Sequence, residues 1–435
     1  MAKRKLCILS ISFIIVFFIG LSFYKHKTKE PETDCTDKFY TSIKETFFSL
    51  FETEVYEYIN NNYIKQPSDI SSSITLDKFS IIPEFEGLTL TTRMQKSSSF
   101  SNFFSDIRIN YKGIQLISGR LQNQNNLLTV YSPSLYDKAI SADTEFIKNN
   151  IGLVYSNNVA YQLISEFAQM YPEEFETISN NVLVTYNNGY DFTIQADAFK
   201  ILLELLKDYI FNGQTSTQLI SNFVTAEYYA NPNNAEFYTL DEYKELYIDS
   251  ITPTINNIFF IAIDLINFDI TLHFDTDSKG NIKSITYKGG NESINSEINI
   301  SFTPYKNTYN LKGSISLQFA DNVINIDMYQ NNSADSDQLN TVSTINLTYN
   351  NNQLFTFLFE SHFNQSTQTQ ELSFDFTSEH FSALLLGEIS YFPFKGELQS
   401  IKEDNCNITS MNIMELSKLA KEINNNIIKI KERLQ

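Results

Sequence analysis

Residues equipped for chemistry are sparse in this chain and poorly grouped. Beyond the first thirty positions the only histidines are His273, His362 and His380. None has a second His or Cys at the three- to five-residue spacing of a metal site. His273 alternates with apolar neighbours and is expected to point to solvent, while His362 and His380 are expected to flank strands. With no nucleophile-elbow pattern, Ser-His and Cys-His catalysis are disfavoured. The stretch Asp275-Thr276-Asp277-Ser278-Lys279-Gly280-Asn281 resembles the start of a calcium loop, but Lys279 takes a liganding place and Thr286 stands where a bidentate acid belongs, so a turn is expected. The pairs Glu173/Glu174 and Asp241/Glu242 fall at helix starts, where the helix dipole accounts for them. Thirteen glycines in 435 residues form no phosphate-cradling loop. No catalytic, cofactor-binding or metal-binding residue is assigned, and the chain reads as a non-enzyme.

Binding to an apolar face is the chemistry that remains. Phe268, Ile270, Leu272 and Phe274 alternate with polar residues, and Leu317/Phe319, Phe355/Phe357 and Phe374/Phe376 repeat the pattern. Such a face is either ordinary core between a sheet and its helices or the lining of a cavity for a lipid or other apolar ligand.

The elements that would hold this face follow from periodicity. Phe39, Ile43, Phe47, Leu50, Phe51, Val55 and Ile59 recur at helical steps, and Pro67 ends the helix. Residues 74–131 change to short alternating runs, among them Ile74/Leu76, Leu88/Leu90 and Ile107/Ile109. The stretch 133–150 is expected to leave the sheet. Residues 158–262 read as a helix-rich insert with a hairpin around 183–194. Asp197 is the expected cap of one helix, and Thr215/Gln218 and Thr239/Glu242 are expected capping boxes for two more. From Ile266 onward the period is two, giving an antiparallel meander with one wet and one covered face. Asn412 with Glu415 starts a final amphipathic helix over 412–434. The expected fold is α+β: a large curved antiparallel sheet of roughly ten strands, half-barrel-like, packed on amphipathic helices.

The start of the chain places this domain. Leu6 to Phe23 is apolar and uncharged, about 27 Å long as a helix, which matches a bilayer core. Its length, with only Gly20-Leu21-Ser22 as a cleavage candidate, favours an uncleaved anchor over a signal peptide. The organisation read here is a cytoplasmic stub at 1–5, a transmembrane anchor at 6–24, a linker at 25–37 and an extracytoplasmic domain at 38–435. Beyond the anchor, 51 acidic residues face 29 basic ones (32 less Lys3, Arg4 and Lys5), a formal charge of −22. That balance argues against nucleic acid as a partner. Hydrophobic residues at 42% and aromatic ones at 14% supply a large core and argue against disorder. Cys7 falls in the anchor. Cys35 and Cys406 either form one disulfide or stay as two thiols.

An early amphipathic helix, a long alternating meander, interspersed helices and a membrane tether together resemble the bacterial lipoprotein-carrier and lipid-binding half-barrels of the LolA and LppX type. The chain also resembles anchored envelope proteins of low-GC Gram-positive bacteria, in which a strand leading into a segment like VYSPSLYDKAISAD (130–143) recurs. The resemblance implies a cell-membrane protein with an extracytoplasmic sheet that binds a lipid or other apolar ligand. The alternative is a protein-interaction or sensory ectodomain with a solid core that meets an envelope partner.

Overall fold

The structure, a computed structural model, describes residues 38–435 except 40, 44–45, 47–49, 51–52, 81–82, 99, 145–165, 168, 187, 231–236, 292–293, 320–321, 379–380 and 433–435. The anchor read at 6–24, the stub 1–5 and the linker 25–37 lie outside the described residues, as do Cys35 and His380. No described helix is long and apolar enough to cross a membrane.

One sheet of eighteen strands dominates, rather than the ten expected. The first six strands are β1 (Ser68–Phe79), β2 (Leu88–Lys96), β3 (Phe103–Tyr111), β4 (Ile114–Gln124), β5 (Leu127–Tyr131) and β6 (Ala139–Asp143). They run as a meander in which each strand pairs antiparallel with the next. A hairpin of β7 (Val182–Tyr186) and β8 (Tyr190–Ile194) follows. The second meander contains β9 (Ile270–Thr276), β10 (Ile282–Gly290), β11 (Ile294–Tyr305), β12 (Thr308–Phe319) and β13 (Asn322–Asp335). It continues through β14 (Gln338–Tyr349), β15 (Asn352–Asn364), β16 (Thr369–Ser378) and β17 (Ser382–Pro393).

Three joins make these parts one sheet. β1 pairs with β17 from Ser68↔Pro393 to Phe79↔Ala383. The β7–β8 hairpin adds to β9, with Tyr190 opposite Phe274. Finally β18 (Asn405–Asn407) lies parallel against β6, with Cys406 opposite Ile140. The stretch expected to leave the sheet after residue 133 therefore returns as β6, because Ala139, Ser141 and Ala142 are small enough to be buried there. Tight turns come from asparagine pairs: Asn125–Asn126 and Asn350–Asn351 take positive φ, as two-residue hairpin turns require.

Helices cover one face of the sheet. Residues 38, 39, 41–43, 46 and 50 are helical, and α1 (Glu54–Ile59) follows, capped by the Thr53 hydroxyl and running into a π-turn over Asn60–Ile64. Phe39, Ile43 and Leu50 pack on Tyr190, Phe192, Phe274, Ile285, Ile300 and Phe302. Val55, Ile59 and Tyr63 pack on Ile70, Leu339, Phe363 and Tyr391. Polar contacts fix the helix laterally: Ile282 donates its N–H to Thr46 Oγ1 at 3.1 Å, and Gln330 Nε2 donates to the Leu50 carbonyl at 2.8 Å.

The helix-rich insert holds α2 (Pro172–Asn180), α3 (Ala196–Asn212), α4 (Gln214–Ala230) and α5 (Leu240–Leu265). Its core is Phe199, Leu202, Leu206 and Tyr209 against Ile194, Ile255, Phe259 and Ile266. The Thr239/Glu242 box starts α5 as expected. Two other caps come from distant residues. Asp197 lies inside the first turn of α3, and Asp269 Oδ1 instead accepts the Ala196 N–H at 2.9 Å. Thr215 lies inside α4, whose first N–H groups, from Gln214 and Thr215, are taken by the Glu166 carboxylate. The last helix, α6 (Ile413–Lys431), begins with the expected Asn412/Glu415 capping box.

Candidate functional site

Strand register decides what shares the apolar face. Residues directly opposite across an antiparallel pair point the same way, so successive pairings can be followed sideways as rows. One row runs Phe274, Ile285, Ile300, Gly313, Met328, Ile345, Phe357, Phe376 and Ala383 across nine strands. A second runs Ser343, Phe359, Phe374, Leu385, Leu76 and Leu88, crossing from the second meander to the first at Leu385↔Leu76. A third runs Thr341, Ser361, Leu372, Gly387, Ile74 and Leu90. None of these positions is ionisable.

The ten residues singled out from the sequence divide between a filled part of this face and an open one. Phe274 is buried under Phe39, ring centroids 4.9 Å apart and nearly perpendicular. Leu272 packs on the same cluster, and Ile270 packs against the helical insert. Phe268 precedes β9 and is half-buried. Leu317 joins Ile315, Ile324, Ile326 and Leu347 in a separate cluster, and Phe319 stands opposite Ile294 and Asn322 in the register. On β15 and β16, Phe355 and Phe376 stack at 5.7 Å, while Phe357 lies beside Phe376 in the first row and Phe374 beside Phe359.

Among the described residues, helical cover stops partway along the strands. The end marked by Leu339, Phe363, Tyr391 and Ile70 lies beneath α1 and the π-turn. There, burial pushes the Tyr391 phenol well above its ordinary pKa, and its hydroxyl donates to Gln370 Oε1 at 2.6 Å. Lys96 is fully buried at the same end. Its Nζ donates to the carbonyls of Ile64, Gln66 and Ser97 at 2.7, 2.7 and 3.0 Å. Burial lowers its pKa, but three acceptors use all three donors of an ammonium and favour the charged form.

Farther along the same strands the face is open. Ile345, Phe374, Leu385 and Leu90 keep 38, 39, 37 and 38% of their surface exposed. With Phe357, Phe359, Phe376, Leu76 and Ile74 half-buried between them, they form one apolar strip over β14, β15, β16, β17, β1 and β2. Five strand spacings make it about 24 Å long. Phe359 and Phe374 pack at 4.8 Å within it, and Phe381 closes one side between Phe376 and Phe79, at 5.2 and 5.7 Å.

Of the nine residues in this strip, sequence reasoning singled out only Phe357, Phe374 and Phe376 as an apolar ligand face. Leu76 and Leu90 were readable as strand residues, but nothing local brings them beside Leu385. In β17 the run Leu384–Leu385–Leu386 has no alternation, so only the pairing Phe374↔Leu385 shows which of the three shares the strip.

The polar side of the sheet differs from the expectation for His273. Its ring is half-buried, with Nδ1 2.6 Å from Asp191 Oδ1 on β8 and Nε2 3.3 Å from Asp275 Oδ1 on its own strand. The hydrogen bond with Asp191 is the main cause of a raised histidine pKa, reinforced by Asp275. His362 lies within β15 and meets Asn340 Oδ1 at 2.8 Å. Asp277 caps the turn after β9 through the N–H groups of Lys279 and Asn281, and no metal-ligand cluster occurs among the described residues. Cys406 is half-buried in β18.

Compared with known proteins, the chain matches no family model and no curated protein.

Proposed function

We propose that this chain is a non-enzymatic envelope protein, tethered to a membrane through residues 6–24, whose extracytoplasmic domain binds the acyl chain of a lipid or a ligand of similar apolarity on the open strip. The observation that carries the reading is the open strip marked by Ile345, Phe374, Leu385 and Leu90, which runs across β14 to β17 and on through β1 to β2. An exposed apolar surface of this extent in a one-layer region costs solvation free energy that ordinary folding would remove by covering it. Phenylalanine and leucine without ionisable neighbours suit a hydrocarbon chain, and the helix that fills the adjoining half of the same face leaves the strip as an open-ended trough in a half-barrel. A tether within a short linker of the bilayer holds that trough near a source of lipid.

Titration of the full-length protein with a fluorescent fatty acid, together with native mass spectrometry for co-purifying lipid, tests this. Saturable uptake that Phe374→Glu and Leu385→Glu abolish is the expected result. Failure of the wild-type protein to take up the probe or carry lipid would refute it, and would turn attention to a protein partner on the same strip.

A further inference from the structure

The opposite, polar face of the sheet contains a depression of about 650 Å³ across β10 to β14. Two in-register rows line it, and Ile300, Gly313 and Met328, which lie between those rows along β11, β12 and β13, line it as well. One row is Thr286, Asn299, Ser314, Asp327 and Asn346; the neighbouring row includes Lys312 and Tyr329. Four strand spacings give the rows a length of about 19 Å, and two residues along a strand separate them by about 7 Å. The depression is therefore a narrow trough running across the strands.

We infer that this trough is a second binding site, for a short oligosaccharide. Its walls combine hydroxyls, amides and one carboxylate with a larger area of apolar surface, to which Ile300, Met328 and the Tyr329 ring belong. Thr286, Ser314 and Asp327 make no side-chain hydrogen bond to other described residues, which leaves their donors and acceptors available. Every strand in the trough is paired on both sides, so a ligand must be read by side chains and not by strand addition. That excludes an extended peptide bound through its backbone. Lys312 is the only basic group among the lining residues and the Asp327 carboxylate is among them too, so a polyanion finds no charge complement. A chain of sugar rings offers what the walls need: hydroxyls at short intervals on both edges to pair with Asp, Asn and Thr, and C–H faces. The Tyr329 ring, 46% exposed, supplies the surface on which such a face stacks.

The site is separate from the apolar strip, which occupies the other side of the sheet, and does not depend on it. The test is isothermal titration of the full-length protein with chitohexaose, cellohexaose, maltohexaose and laminarihexaose. Binding of at least one, weakened about tenfold or more by both Tyr329→Ala and Asp327→Ala and unchanged by Phe374→Glu, is expected. Absence of binding by all four at about millimolar concentration overturns the inference, as does binding indifferent to the two trough variants. Because Tyr329 and Asp327 are exposed, unchanged far-ultraviolet circular dichroism is expected to accompany both substitutions.

Discussion

Replacing Phe39 by alanine tests how the first helix defines the open and filled halves of the apolar face. Phe39 is fully buried, with its ring centroid 4.9 Å from Phe274, 5.3 Å from Tyr190 and 5.7 Å from Phe192. Loss of a buried phenylalanine removes its transfer free energy and leaves a cavity, together about 3–5 kcal/mol. The surrounding rings belong to the paired strands β8 and β9 and cannot collapse inward easily, which favours the upper half of that range. The edge-on contact with Phe274 should add a pairwise coupling of about 0.5–1.5 kcal/mol in a double-mutant cycle with Phe274→Leu. Urea denaturation of the full-length protein gives the stability loss, and hydrogen exchange at the β9–β11 amides shows whether the helix releases before the sheet unfolds. A released helix would also lengthen the exposed apolar face, so binding of a hydrophobic dye should rise. A stability loss under about 1 kcal/mol with no coupling to Phe274 would refute the account of how this half of the face is filled.

Two further outcomes follow from polar groups. Lys96→Met keeps the aliphatic bulk but orphans the carbonyls of Ile64, Gln66 and Ser97, and is expected to cost about 2–5 kcal/mol by thermal denaturation; a loss below about 0.5 kcal/mol would mean water replaces the ammonium without penalty. His273 has its pKa raised above the ordinary 6.5 by Asp191 and Asp275, so its contribution is fully present below pH 6.5 and disappears as pH rises through the higher folded value. The melting temperature should therefore fall across that window in the wild type, and this component of the fall should vanish in His273→Gln; an identical pH profile in the variant would contradict the bridge between β8 and β9.

Much of the secondary structure could be read directly. Period-two alternation from Ile266 onward marks nearly every strand of the second meander, and the Thr239/Glu242 and Asn412/Glu415 boxes mark two helix starts, because both signals are local. Strand β1 begins earlier than its pattern suggests, at Ser68, since Ser71, Ser72 and Ser73 carry no hydrophobic alternation and gain their place only by pairing with β2 and β17 on both sides. Glu166 and Asp269 take over the capping expected of Thr215 and Asp197 because both helices start before the expected cap, which places Thr215 and Asp197 inside the first turn and leaves the leading N–H groups to a carboxylate brought in by folding. Burial opposes the charge on Glu166, but hydrogen bonds from Thr215, Tyr209 and Gln214 outweigh that cost and hold its carboxyl below the usual range.

The amino-acid sequence by itself determined that this protein has a sheet apolar on one face and polar on the other, because side chains alternate along every strand whatever the strand's neighbours are. Tertiary structure alone decided which apolar residues meet. The junction of β1 with β17 joins segments about three hundred positions apart, and it sets Leu76 and Ile74 beside Leu385 and Gly387. The described helical residues between 38 and 64 then cover one end of that combined face and not the other. Neither choice leaves a local mark, because register between distant strands and the extent of helical cover are set by the packing of the whole sheet.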